Sequence, residues 1–343
     1  MARTRRRPWH CSPGPGTFGP RPGLPGPCGR RLPAEKLSCG DEVAGTGAAR
    51  HPTKEVVIMT QSVVVGVDGS AESSAAAEWA ARQARRSGRA LRMVHAGGPE
   101  APLAEQPGDP AEPLPEPVRV LRDRLLDTLP DLEIHCEHVP GSPAHALVAA
   151  GEREGLLVLG SRGRGGFAGL LVGSVAVRAA TLAACPVVLV RPGAEGRGAS
   201  GDVVVGVEGG RPCDEVLAFA FEQAAELGTG LRALESLTVP AGPYVTDAPM
   251  AQPEIRESMA EAETLRLRDA LARWREKYPE VGAEAEVTGW PAGRALVEAS
   301  RSAALVVVGR RTPRLLPAAP RLGGTAHAVL HHAHGPVAVV PHA

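Results

Sequence analysis

The sequence predicts an α/β fold: two doubly wound, parallel-sheet domains in tandem. Three observations carry this prediction. Short, near-continuous Val and Leu runs alternate with longer segments whose apolar residues recur at helical spacing. Strands lose the usual in/out alternation when helices cover both faces of a parallel sheet. The pattern also occurs twice. Val63–Val67 recurs as Val203–Val207, Leu156–Gly160 as Leu305–Gly309, and Cys185–Val190 as Gly335–Val340, with order and spacing kept. Duplication of one unit is the economical explanation. Finally, the chain is 43% hydrophobic but only 3% aromatic, so its core must be aliphatic.

In the first copy, 63–67 reads as a strand and 71–87 as a helix, with Ala76, Ala80 and Ala84 on its apolar side. A strand at 90–94 follows, then a helix at 117–129 carrying Leu121, Leu125 and Leu129, and a strand at 132–138. The unit closes with helix 143–153, strand 156–159, helix 174–183 and strand 186–190. Gly88 and Gly141 stand where a helix C-cap and a turn need them. Residues 97–116 are rich in Pro and acids and read as a mobile loop over one end of the sheet. Pro192–Gly201, rich in Gly and Ala, suits a flexible linker. The expected domains are therefore 59–192 and 202–343, joined by 193–201.

Residues 1–58 stand apart. Repeated Pro-Gly segments there cannot pack a core and predict a disordered basic tail. Met59, just before the first strand, favours an over-extended start, with a tether for anionic surfaces as the alternative. The charge balance divides the same way: residues 1–61 carry a net of +6 and the remainder −6. An acidic body argues against a nucleic-acid-binding core. The six cysteines form no CxxC pair, so neither a zinc site nor a disulfide framework is indicated, and Cys185 reads as a buried thiol beside a strand. No apolar run is long enough to span a bilayer and no signal-peptide core follows the basic start, so the expected location is cytoplasmic, without membrane contact.

The most informative stretch is Gly160-Ser161-Arg162-Gly163, nine residues, then Gly173-Ser174. It follows the apolar run Leu156–Leu159 and opens a helix. Glycines let backbone N–H groups converge on anionic oxygens, and a helix N-terminus adds unpaired donors and positive potential. Ser174 occupies the expected N-cap and adds a hydroxyl. The loop is thus a candidate phosphate site, although a glycine-rich loop can equally be a plain turn. It is neither a Walker loop nor a first-turn dinucleotide fingerprint.

With Val64-Val65-Gly66-Val67-Asp68-Gly69-Ser70 added, the combination resembles the universal stress proteins, and in particular their tandem actinobacterial forms. The resemblance covers about 62–341. It implies Rossmann-like domains of strand order 3-2-1-4-5, with a ligand cleft outside the ends of strands one and four. It further implies that ATP, with or without Mg, is held by Asp68 and Val94 at the adenosine and by Gly160, Gly163, Gly173 and Ser174 at the phosphates. Arg162 or Arg164 adds charge, unless these arginines are merely solvated. Asp68 also reads as ordinary turn chemistry before a helix. The fifth strands, which commonly build the family's dimer contact, are expected to pair within the chain as a pseudo-dimer, with homodimerisation of the whole chain left open.

The second copy departs from the pattern. Glu208 replaces Asp68, Thr312 replaces Gly163, and Pro313, Pro317 and Pro320 occupy the loop, where a missing N–H and fixed φ defeat a phosphate nest. The second copy is expected to bind ATP poorly or not at all. His327 and His331 have an i, i+4 ligand spacing, but no local carboxylate or Cys joins them. His135 and His138 point to opposite faces of a strand. No metal site and no nucleophile–base pair is expected, so any ATP hydrolysis would be slow and no catalytic residue is assigned. The expectation is an ATP-binding regulatory protein of the stress type whose loops, ordered by ATP, offer a surface to an unknown protein partner. The alternatives are a nucleotide-free interaction module and a weak ATPase of the same fold.

Overall fold

A computed structural model of the chain describes residues 62–97, 114–163, 171–193, 201–208, 213–237, 253–312 and 320–343. The expected tail, residues 98–113 of the loop read at 97–116, Arg164, most of the linker, and residues 313–319 of the second loop lie outside the described residues.

The first half runs β1 (Val63–Gly66), α1 (Ala71–Ser87), β2 (Leu91–Ala96), α2 (Glu116–Thr128) and β3 (Ile134–Val139). It continues with α3 (Pro143–Glu154), β4 (Leu157–Gly160), α4 (Ser174–Leu182) and β5 (Val187–Val190). The second half repeats this as β6 (Val203–Val207), α5 (Asp214–Leu227), β7 (Leu231–Ser236), α6 (Pro253–Lys277) and β8 (Ala283–Thr288). Then come α7 (Ala292–Ala299), β9 (Leu305–Arg311), α8 (Gly324–His332) and β10 (Val337–His342).

Local chemistry explains the element bounds. α1 starts at Ser70, whose side chain accepts from the Ser73 N–H at 3.0 Å, and ends at Gly88 in the left-handed region, φ 66°. Ala76, Ala80 and Ala84 are fully buried against the sheet, as their spacing predicts. Leu121 and Leu125 of α2 are buried, as is Leu129 at its C-cap. Gly141 takes φ 97° in the turn before α3.

The strands lie in one sheet in the order β3-β2-β1-β4-β5-β10-β9-β6-β7-β8. Within each half all pairings are parallel and follow the order 3-2-1-4-5. The two sheets are not separate: β5 and β10 pair antiparallel, with Val188 opposite Ala338. α1, α2, α5 and α6 cover one apolar layer, and α3, α4, α7 and α8 the other. Cys185 is buried on the latter side, and burial pushes its thiol up to about 12.

Two arginines cross the junction between the halves. Arg191, just past β5, donates to the carbonyls of Leu330, His331 and Ala333 at the C-terminal end of α8. Arg310 of β9 donates in the other direction, to the Ala183 carbonyl that closes α4. Each cation thus meets the negative end of the other half's last helix. On the opposite layer, Gln83 of α1 and Gln223 of α5, equivalent in the repeat, both donate to the Glu226 carboxylate. A further buried polar contact sits beneath α6. Glu235 at the end of β7 shares a hydrogen bond with Glu263; burial first, and then that neighbour, raise its carboxyl to about 7. Among the described residues, no helix is long and apolar enough to cross a membrane.

Candidate functional site

β1 and β4 are neighbours, and the helices that follow them leave on opposite faces of the sheet, which opens a cleft beyond their C-terminal ends. A cavity of about 400 Å³ lies there. Asp68, Val94, Gly160, Arg162, Gly163, Gly173 and Ser174 all line it.

Asp68 has a role in the turn. Its Oδ1 accepts from the Ser70 N–H at 3.0 Å and the Ser70 hydroxyl at 2.6 Å, while its own N–H donates to Ser73 Oγ at 3.3 Å. Gly69 between them takes φ 78°, which a side chain would strain. The other carboxylate oxygen faces the loop: a Cβ on Gly163 would stand 2.5 Å from Oδ2. One carboxylate therefore orders the start of α1 and walls the cleft.

The glycines divide by cause. Gly160 packs on the backbone of α1, where a Cβ would lie 2.7 Å from the Glu72 carbonyl carbon and 2.9 Å from the Ser73 nitrogen. Close approach of helix and strand accounts for this glycine without a ligand. The Gly173 N–H is already spent on the Ser161 carbonyl at 2.8 Å. The expected N-cap also shifts by one residue: Gly173 is the N-cap of α4 and Ser174 its first helical residue, with no side-chain capping bond. The Val177 N–H is the first to reach back, to Gly173, so the N–H groups of Ser174, Val175 and Ala176 have no partner within the helix. All three residues line the cavity.

Val94 forms a wall of the cleft. Its carbonyl accepts from the Val67 N–H at 2.9 Å, because the register turns its backbone toward β1. Arg162 is not simply solvated: its guanidinium pairs with the Glu72 carboxylate at 2.8 Å. Sequence reasoning missed Ser73, Ala96, Pro143, Leu147, Val175 and Ala176 as lining residues. Ser73 was open to detection, since it lies three residues past the Ser70 cap. Leu147 was not, since only the packing of α3 brings it to β1. That packing explains Gly66, where a Cβ would come within 2.6 Å of Leu159 and 3.0 Å of Leu147. Gly206 repeats the relation against Leu296 at 2.8 Å.

The equivalent cleft of the second half differs in construction. Glu208 pairs across it with Arg311 at 2.6 Å. β9 does not leave the sheet at Gly309, as β4 does at Gly160. It continues two residues further along β10, pairing Arg310 with Pro341 and Arg311 with His342, and the Thr312 N–H donates to the His342 carbonyl at 2.7 Å. A Cβ on Gly309 would lie 2.9 Å from the His342 ring. Backbone groups that would begin a phosphate loop are engaged by the last strand. The cavity here is wider, about 1240 Å³. The His327 and His331 rings stack at 4.3 Å, and among the described residues no group of three or more ligating side chains could hold a metal ion.

The model of the universal stress protein family matches this chain twice, over residues 59–191 and 200–341. The chain belongs to the universal stress protein family. A universal stress protein of Mycobacterium tuberculosis is 33% identical over 293 residues, covering 81% of this chain and 96% of that one. One of Mycolicibacterium smegmatis is 30% identical over 259 residues, covering 72% and 86%. Among solved structures, a protein of unknown function from Pseudomonas aeruginosa aligns with a TM-score of 0.55 at 14% identity, over 83% of this chain and 93% of that one. A universal stress protein from Archaeoglobus fulgidus aligns at 0.52 and 15%, over 82% and 99%. At these identities the structures speak to the fold alone. Both halves of this universal stress protein carry the family architecture.

Proposed function

We propose that this universal stress protein is an ATP-binding regulatory protein whose nucleotide sits in the first cleft, with domain 59–192 holding it and domain 202–343 acting as a built-in dimer partner through the β5–β10 pairing. The observation that carries this reading is the meeting of Asp68, Val94, Gly163 and Ser174 around one cavity, beside the N–H groups of the first turn of α4, which have no partner within the helix. Helix N-terminal donors with a neighbouring glycine loop favour phosphate oxygens. The apolar walls from Val94, Ala96 and Leu147 suit a nucleoside. Mg would enter with the phosphates. In the second half, the Glu208–Arg311 pair and the extended β9 argue against the same ligand.

Two details favour a second reading, a nucleotide-free interaction module. Arg162 already has a protein partner in Glu72, and Asp68 Oδ1 is engaged in its turn. Calorimetric titration of ATP into the full chain separates the readings. One site per chain supports the proposal, and two sites overturn the assignment of the second half. Absence of heat and of competition at about 1 mM ATP, an affinity near −4 kcal/mol, leaves the interaction module.

A further inference from the structure

The nucleotide reading expects charge at the phosphates from Arg162, but that side chain already has a partner in the first cleft. Arg162 is the one cation among the described residues that line the cavity. Its guanidinium is bound at 2.8 Å by Glu72, in the first turn of α1. The contact is built into the fold. Gly160 is packed onto the backbone of Glu72 and Ser73, so the start of the loop and the first turn of α1 cannot separate without disturbing the sheet. The Glu72 side chain is mostly buried (15% exposed) while Arg162 reaches solvent (45%). Among the described residues that line the cavity, the charged side chains are Asp68 and Arg162, with Glu72 paired to Arg162 and the Arg191 guanidinium near enough to Arg162 to repel it.

We propose that Glu72 sets the phosphate-charge preference of the first cleft by holding Arg162, so that each added phosphate charge gains the ligand less affinity than an unpaired guanidinium would give it. This rests on the nucleotide reading above. Every phosphate oxygen that approaches Arg162 also approaches the Glu72 carboxylate, and the two contributions oppose each other with similar distance dependence. Without Glu72 the guanidinium faces the ligand alone, and the gain grows with ligand charge. The pairing belongs to the first half only. The offset that carries Gln83 to Gln223 carries Glu72 to Pro212, which has no carboxylate. Arg311, two residues past Gly309 as Arg162 is past Gly160, turns instead to Glu208.

The test is a set of titrations of the full chain and its Glu72→Gln variant with adenosine, AMP, ADP and ATP, at low and high salt. The expected result is graded. Affinity for ATP rises about fivefold, that for AMP about twofold, and that for adenosine is unchanged, the scale of a partly exposed ion pair. The ATP gain shrinks at about 1 M salt. Arg162→Gln alone should move the grading the opposite way, which separates charge from any effect of Glu72 on the start of α1. Equal factors for all four ligands, or no change in either variant while the parent binds, overturns the role of Glu72 and leaves the nucleotide reading standing. Failure of both the parent and the variants to bind any of the four overturns that reading and this inference together.

Discussion

Gly163 and Asp68 face each other across the first cleft so closely that a Cβ on the glycine would stand 2.5 Å from the Asp68 Oδ2. The glycine is required by the carboxylate as much as by any ligand. Gly163→Val should therefore push the Asp68 carboxylate out of place and crowd the loop together. ATP affinity should fall at least about tenfold, with a thermal midpoint within a few degrees of the parent, because the contact atom ends a side chain rather than a packed backbone. Calorimetry and thermal unfolding on the same sample check both halves of the statement.

The two oxygens of Asp68 can be separated by substitution. Asp68→Asn keeps an acceptor for the Ser70 N–H and hydroxyl, and should retain stability while weakening nucleotide binding. Asp68→Ala removes the acceptor and should lose about 1 kcal/mol as well, the usual cost of a helix-start contact. Denaturant unfolding of the two variants side by side measures the difference.

Gly66 and Gly206 make the same demand in both halves. A Cβ at either would press on a leucine, Leu159 and Leu147 in the first half and Leu296 in the second. Gly66→Ala and Gly206→Ala should each destabilise by about 1–3 kcal/mol through overpacking. The midpoint of denaturant unfolding reads this directly. An unchanged midpoint for Gly206→Ala would show that α7 yields where α3 does not.

Glu235 predicts a pH dependence. Burial, then Glu263, raise its folded carboxyl from 4.5 to about 7, so between those values the folded chain binds a proton that the unfolded chain has lost. Stability contributed by this proton is full below about pH 4.5 and declines as pH rises through about 7. Glu235→Gln, which keeps a hydrogen-bonding group without the charge, should flatten the decline and raise the midpoint at pH 8. Thermal unfolding across pH 5–8 for parent and variant tests the sign.

Much of the architecture is legible in the sequence because its causes are local or periodic. α1 runs Ala71–Ser87 as read, since Ser70 and Gly88 cap it through their own backbone and side-chain chemistry. The Val and Leu runs, repeated at a constant offset, required a doubly wound sheet twice over, and the glycine spacing picked out residues that line the cavity at the end of β4. The strand expected at 90–94 runs instead from Leu91 to Ala96, because its last pairs, His95 with His138 and Ala96 with Val139, depend on β3.

By itself, the sequence determined which segments become strands and helices, that the unit is duplicated, and where the glycine-rich loop lies between β4 and α4. These follow from side-chain period, caps and glycine conformations, all set within a few residues. The tertiary structure alone decided that β10 draws β9 past Gly309, that Arg162 turns to Glu72, and that Gly160 is crowded by a helix backbone. Those outcomes are contacts between segments tens of residues apart. Which carboxylate an arginine reaches, or which backbone a glycine touches, is settled only when the layers pack.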